Sequence, residues 1–143
     1  MKSLASELFD EAPTGVLDHL GSLIAGPVLA VAIDTPLSEV ARMLLHHRVP
    51  AIAVVDDEEL CGVITRSDVL RSYDEHNVTA GEAMSNYVFV LPARSTIEKA
   101  AALMAYECVG QIVVTGEGGE LVGMVSALDV ARHYAVEHGY AVE

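Results

Sequence analysis

Positive charge is scarce in this chain of 143 residues: eight Lys and Arg stand against 21 Asp and Glu, a net charge of −13. Such a field repels a phosphate backbone, whose binding relies on clustered cations that release counterions, and so argues against nucleic acid as a direct partner. Any anionic ligand must be gripped locally. Cysteine is scarcer still: Cys61 and Cys108 are isolated, sit in or beside apolar segments, and read as buried reduced thiols, not as metal or redox groups. Long hydrophobic runs are missing too. The longest, Leu23 to Ile33, is broken by Gly26 and Pro27 and falls well short of the roughly 20 residues a membrane span needs, so a soluble chain is expected. The N-terminus carries one Lys and then Leu4, Leu8 and Phe9 among Glu7, Asp10 and Glu11, an amphipathic helix over 1–16 and not the basic-then-apolar pattern of a secretion signal. Cytoplasmic residence is the expectation. No Ser, Cys or carboxylate falls into a nucleophilic arrangement, which argues against an enzyme. His46 and His47 are adjacent and point about 100° apart on a helix, while His19, His76, His133 and His138 have no companion at metal spacing, so no metal site is expected.

What the chain does hold is a repeat. Leu60, Gly62, Val63, Ile64, Thr65, Asp68, Val69, Arg71 and Tyr73 recur at a shift of 61 as Leu121, Gly123, Met124, Val125, Ser126, Asp129, Val130, Arg132 and Tyr134. Upstream of Asp56 the shift is 60: Gly21, Val28, Ala41, Val49, Ile52 and Val54 fall on Gly81, Val88, Ala101, Val109, Ile112 and Val114. One residue has therefore been inserted in the second turn, between Gly116 and Gly119. A unit of this period seldom buries its apolar face alone, so the two copies should share a core. The boundaries read as repeats over 17–74 and 75–135 with a tail over 136–143.

Each copy reads as helix, strand, helix, strand, strand, helix. In the first, a helical turn over 17–25 precedes an apolar strand over 28–32, and Thr35 and Pro36 supply an N-cap and a favoured first helical residue. Val40, Met43, Leu44 and His47 then recur at helical spacing. Ala51 to Val55 and Leu60 to Thr65 make a hairpin around an acidic turn, and a last helix runs to about Ser72. In the second, Thr79 with Glu82, and Ser95 with Glu98, have capping-box spacing.

Two such units, closing on Gly62-Val63-Ile64-Thr65-Arg66-Ser67-Asp68-Val69 and on Gly123-Met124-Val125-Ser126-Ala127-Leu128-Asp129-Val130, resemble the cystathionine-β-synthase (CBS) domain family. Thr35-Pro36-Leu37 and Val49-Pro50-Ala51 support the likeness. It implies an α+β fold, two β-α-β-β-α repeats packed as a pseudo-two-fold Bateman module that commonly dimerises. It also implies a sensor that takes an adenosine-containing ligand, AMP, ADP, ATP or S-adenosylmethionine, in clefts between the repeats, needs no cofactor, and regulates a partner protein. By position, Asp68 and Asp129 resemble the ribose-binding carboxylates, and Thr65 and Ser126 the hydroxyls facing phosphate. Ile33-Asp34-Thr35, Ala93-Arg94-Ser95, Val49-Pro50-Ala51 and Val109-Gly110-Gln111 match the backbone that lines the adenine pocket.

The residues permit that chemistry, and also a plainer one. A strand that ends in a hydroxyl residue and turns into a helix aims amide groups at one point, which suits phosphate, and an ionised Asp can accept from both ribose hydroxyls. Thr65 with Asp68, and Ser126 with Asp129, equally fit capping boxes, and Asp68 with Arg71, and Asp129 with Arg132, fit helical ion pairs. Arg66 gives the first copy a phosphate-reaching cation where the second has Ala127 and Leu128, with Arg94 as its only substitute. The first cleft is therefore expected to be the stronger. Two functions stay open: a ligand-sensing homodimer, and an interaction protein that keeps the fold without binding nucleotide.

Overall fold

The computed structural model describes residues 18–141, so the expected helix over 1–16 lies outside the described residues. They divide into two compact units, one of Val28–Phe89 and one of 18–27 with 90–141. These do not coincide with the repeats, because the short helical element at the head of each repeat packs with the strands of the other.

In the unit Val28–Phe89, β1 (Ala30–Ala32) runs parallel to β2 (Ala51–Asp56), which pairs antiparallel with β3 (Glu59–Thr65). Ala51 to Val54 are all buried, so both faces of the middle strand are covered, which is why this stretch reads as a continuous apolar run and not as an alternation. Helix α1 (Leu37–His47) presses Leu37, Val40 and Leu44 into a core with Val31, Ile52, Val54, Ile64 and Ala80. His47 is exposed and takes no part in the stripe. The helix also starts later than its sequence suggests: Pro36 is the N-cap and Thr35 makes no capping bond, because Pro36 is bridged to Thr79 and the Leu37 amide donates to the Val78 carbonyl at 2.9 Å. Helices α2 (Arg66–Arg71) and α3 (Ala80–Ala83) follow, each opening on a complete capping box.

The other unit begins with a 3-10 turn, Leu20–Leu23, and continues with β4 (Val90–Pro92), α4 (Ile97–Glu107), β5 (Gln111–Thr115), β6 (Leu121–Ser126) and α5 (Ala127–Glu137). Its sheet repeats the order and senses of the first. Helix α4 is capped by Thr96, which accepts from the Lys99 amide; Ser95 and Glu98 form no box, since the Ser95 amide and carbonyl are spent on Pro92 and Leu20.

The inserted residue has a visible cause. Each hairpin bulges at the same step, Val54/Val55 and Val114/Thr115. Beyond it the first hairpin closes through Asp57 and Glu58, both left-handed at φ 48° and 68°, the tight turn that matches strand twist. The second uses a wider loop in which Gly119, at φ 83°, takes the left-handed position. The cysteines depart from expectation: Cys61 is half-buried at the bulge, and Cys108 is exposed as the left-handed C-cap of α4, φ 55°. No helix among the described residues is long and apolar enough to cross a membrane.

Candidate functional site

At the end of β3 the backbone of Thr65 is still extended, φ −104° and ψ 169°, and the next residue enters α2. The Thr65 hydroxyl accepts from the Asp68 amide at 3.2 Å, while Asp68 Oδ2 accepts from the Thr65 amide at 2.8 Å and its hydroxyl at 3.0 Å. Asp68 Oδ1 accepts from Arg71 Nη1 at 3.0 Å. Asp68 is thus 6% exposed, the one buried charged residue among those described, with both oxygens engaged. The capping and ion-pair alternatives hold together here.

The second unit builds the same corner with one difference. Ser126 and Asp129 exchange the same bonds, at 2.8, 2.9 and 3.1 Å, but Asp129 is only half-buried and its Oδ1 has no partner, because Arg132 makes no ion pair among the described residues. On the same helix, burial first and then the carboxylates of Glu98 and Glu137 push the Tyr134 phenol above its ordinary pKa. Tyr73, its counterpart, is 77% exposed.

Sheet register decides which of the remaining candidates join these corners. Ala51 pairs with Thr65 and Gln111 with Ser126, so Val49-Pro50-Ala51 and Val109-Gly110-Gln111 lie beside the hydroxyl residues. The first helical amides bind there too, Arg66 to the Pro50 carbonyl at 3.4 Å and Ala127 to that of Gly110 at 2.8 Å. A Cβ at Gly110 would meet nothing within 4 Å, so the second corner is open in front of it. The Arg66 side chain is exposed and free of any described ion pair.

Ile33-Asp34-Thr35 and Ala93-Arg94-Ser95 are elsewhere in their units. The Ile33 amide reaches Val55 and the Ala93 amide reaches Thr115, at the opposite ends of β2 and β5, about 13 Å away at the usual rise per residue. Their carbonyls are already used: Ile33 and Thr35 accept from Gly81 and Ala80, and Ala93 and Ser95 accept from Gly21 and Leu20, all at 2.7–2.9 Å. Arg94 lines a small pocket of about 90 Å³ with Gly116 and Glu117, so within this unit it does not serve Ser126. A larger pocket of about 310 Å³ lies at the C-terminal end of α2, walled by Pro36, Leu37, Val69, Ser72, Tyr73 and Asn77 among others. None of the expected site residues lines it, and no cation does.

The CBS domain family model matches the chain twice, over residues 20–75 and 80–136. The chain belongs to the CBS domain family. It is similar to an inosine-5′-monophosphate dehydrogenase of Korarchaeum cryptofilum, 27% identical over 120 residues, covering 84% of this chain and 25% of the dehydrogenase. The chain thus spans about a quarter of that relative's length. Hypoxic response protein 1 of Mycobacterium tuberculosis is 28% identical over 112 residues, 74% of this chain and 78% of that protein. Two solved structures share the CBS-pair fold. A CBS domain pair in complex with 5′-methylthioadenosine and S-adenosyl-L-methionine aligns with a TM-score of 0.78 at 20% identity, over 85% of this chain and 99% of the other. A CBS domain protein from Pyrobaculum aerophilum complexed with AMP aligns with 0.72 at 21%, over 83% and 99%.

Proposed function

We propose that this CBS pair is a regulatory module, not a catalyst, that binds an adenosine-containing ligand reversibly and thereby biases the state of a partner protein. The observation that carries the reading is the doubled corner, a hydroxyl residue and a carboxylate at the end of the inner hairpin strand. It sits in a fold whose similar structures were solved with AMP and with 5′-methylthioadenosine and S-adenosyl-L-methionine. Asp68 and Asp129 are its ribose acceptors, Thr65 and Ser126 its phosphate-facing hydroxyls, and the residues around Pro50 and Gly110 its adenine walls. Ile33, Asp34 and Thr35, with Ala93, Arg94 and Ser95, contribute through side chains, since the carbonyls of Ile33, Thr35, Ala93 and Ser95 are committed.

The corners suit different ligands. Arg66 favours a phosphate at the first, where a ribose must compete with Arg71 for Asp68. The open Oδ1 of Asp129 favours a ribose at the second, where Ala127 stands in place of Arg66. AMP should therefore prefer the first corner, and S-adenosylmethionine the second. Calorimetric titration of wild type, Asp68→Ala and Asp129→Ala tests this. Loss of charge-assisted hydrogen bonds worth about 1.5–3 kcal/mol should weaken AMP by roughly 10-fold to 150-fold in the first variant and S-adenosylmethionine in the second. Equal affinities in all three proteins would reduce both residues to helix caps.

The module resides in the cytoplasm and acts as a homodimer. Leu70 and Tyr73 of the first repeat, 69% and 77% exposed, and Leu128 and Val136 of α5 supply its apolar surface; Val130 is buried and does not contribute. Sedimentation as a monomer at micromolar concentration would overturn the dimer. The same surface favours the second reading, an interaction protein without a ligand. Protein that is empty as purified and ignores added AMP, ATP and S-adenosylmethionine would establish that reading instead.

A further inference from the structure

Helix α5 carries a side-chain cluster that ligand sensing does not use. His133 and Glu137 lie one turn apart on it, and Asp18 is held against them by its backbone, whose carbonyl accepts from the Ile97 amide at 3.2 Å. His133 Nε2 stands 3.4 Å from Asp18 Oδ2 and 3.5 Å from Glu137 Oε1, and one ligand atom from each residue lies within 4.8 Å of the others. The imidazole is 15% exposed, and Nε2 is wholly buried without a hydrogen-bond partner. The carboxylates are about half exposed, so the cluster opens to solvent.

A buried nitrogen facing two carboxylates at these distances is poorly explained by hydrogen bonding. If Nε2 is bare, a lone pair faces two acceptors; if it carries a proton, both contacts exceed the 2.7–3.2 Å usual for N–H···O. A shared cation resolves the geometry. Ligands bonded at about 2.0–2.2 Å in a tetrahedron stand roughly 3.3–3.6 Å apart, the range of both His133 separations, and the two carboxylates lie within 4.8 Å of each other. No Lys or Arg pairs with Asp18 or Glu137 among the described residues, and Glu98 Oε2, on the helix that holds Asp18 in place, is a second buried polar atom without a partner. Carboxylates therefore gather around His133 with no Lys or Arg ion-paired to Asp18 or Glu137 among the described residues.

We propose that Asp18, His133 and Glu137 bind a divalent transition-metal ion of the zinc type, with solvent completing the tetrahedron. The imidazole selects such an ion over Mg²⁺ and Ca²⁺, which take oxygen ligands. This site departs from the expectation that His133 has no companion at metal spacing: Glu137 stands four residues later in the sequence, and Asp18 arrives only through the fold. Bound metal would fasten the start of the 3-10 turn to α5.

Zinc titration of the full chain, followed by calorimetry and thermal unfolding, tests the site. One ion should bind per chain and raise Tm, with affinity falling at least about tenfold in His133→Ala, Asp18→Asn and Glu137→Gln. The two isosteric variants should melt like wild type without metal, which separates lost ligation from lost folding. Replacing His46 and His47 by Ala should leave the affinity unchanged, and Mg²⁺ at equal concentration should produce no shift. Zinc affinity in Asp18→Asn and Glu137→Gln within about threefold of wild type, zinc binding that depends on His46 and His47, or an equal response to Mg²⁺ would each overturn the assignment.

Discussion

Thr65–Asp68 and Ser126–Asp129 share their capping bonds atom for atom, yet Asp68 Oδ1 is gripped by Arg71 while Asp129 Oδ1 is unengaged among the described residues. The glycines one strand-turn earlier diverge in the same manner. A Cβ on Gly62 would come within 2.5 Å of the Ser85 carbonyl oxygen, part of a bridge in which Val63 and Ser85 exchange two hydrogen bonds of 2.9 Å. A Cβ on Gly123 would first meet the side chain of Ile24, at 2.9 Å. Backbone geometry has been kept through the duplication, and the partner that each shared position touches has been free to change. Equal motifs therefore do not imply equal sites.

The largest effect that would break this contrast is steric. Gly62→Ala forces backbone apart and should cost about 2–3 kcal/mol, whereas Gly123→Ala needs only a side-chain shift and should cost about 1 kcal/mol or less. Denaturant midpoints of the two variants measure the difference, and equal losses would mean that the Ser85 bridge yields easily. Next comes the acid pair without ligand. Asp68→Ala strands the Thr65 amide and releases Arg71, for about 1–2 kcal/mol; Asp129→Ala strands the Ser126 amide alone, for about 1 kcal/mol. Arg71→Ala sharpens the comparison: its guanidinium is 70% exposed, so stability should fall by well under about 1 kcal/mol while S-adenosylmethionine gains access to Asp68. Unchanged affinity there would show that Arg71 does not compete. The smallest effect lies in the turns. Asp57→Asn with Glu58→Gly relieves two left-handed side chains and should stabilise the first hairpin by about 1 kcal/mol, while Gly119→Ala should cost the second about as much. Chemical melts with opposite signs are the expected outcome.

The repeat, the order of elements, the hairpins and three capping boxes were legible in the sequence because each is a local pattern: a hydroxyl three residues before a carboxylate, or an apolar run bounded by turn residues. Helix starts were less so. Thr35 and Ser95 have the chemistry of caps, but Pro36 is held by Thr79 and Ser95 by Leu20, contacts from distant segments that move each start along by one residue. The equivalence of Gly21 and Gly81 was visible, and its reason was not: a Cβ at Gly21 would lie 3.1 Å from that of Ala93, and one at Gly81 3.0 Å from the Ile33 carbonyl oxygen. For the site, the alignment of Asp68 with Asp129 could be read, as could the ion-pair spacing of both. Which pair forms depends on side-chain burial that spacing does not encode. The distance of Arg94 from Ser126 follows from parallel pairing of β4 with β5, a relation between strands that alternation within either strand cannot reveal.

That crossed pairing of short helical elements with strands has a temporal side. As the chain leaves the ribosome at about 5–20 residues per second, Val28–Phe89 can complete itself from one continuous stretch. Residues 18–27 cannot, because the carbonyls that receive the Leu20 and Gly21 amides belong to Ser95 and Ala93 and are synthesised last of the three segments. Nascent chains should therefore acquire protease resistance in two steps, the middle of the sequence first and its earliest described residues only afterwards.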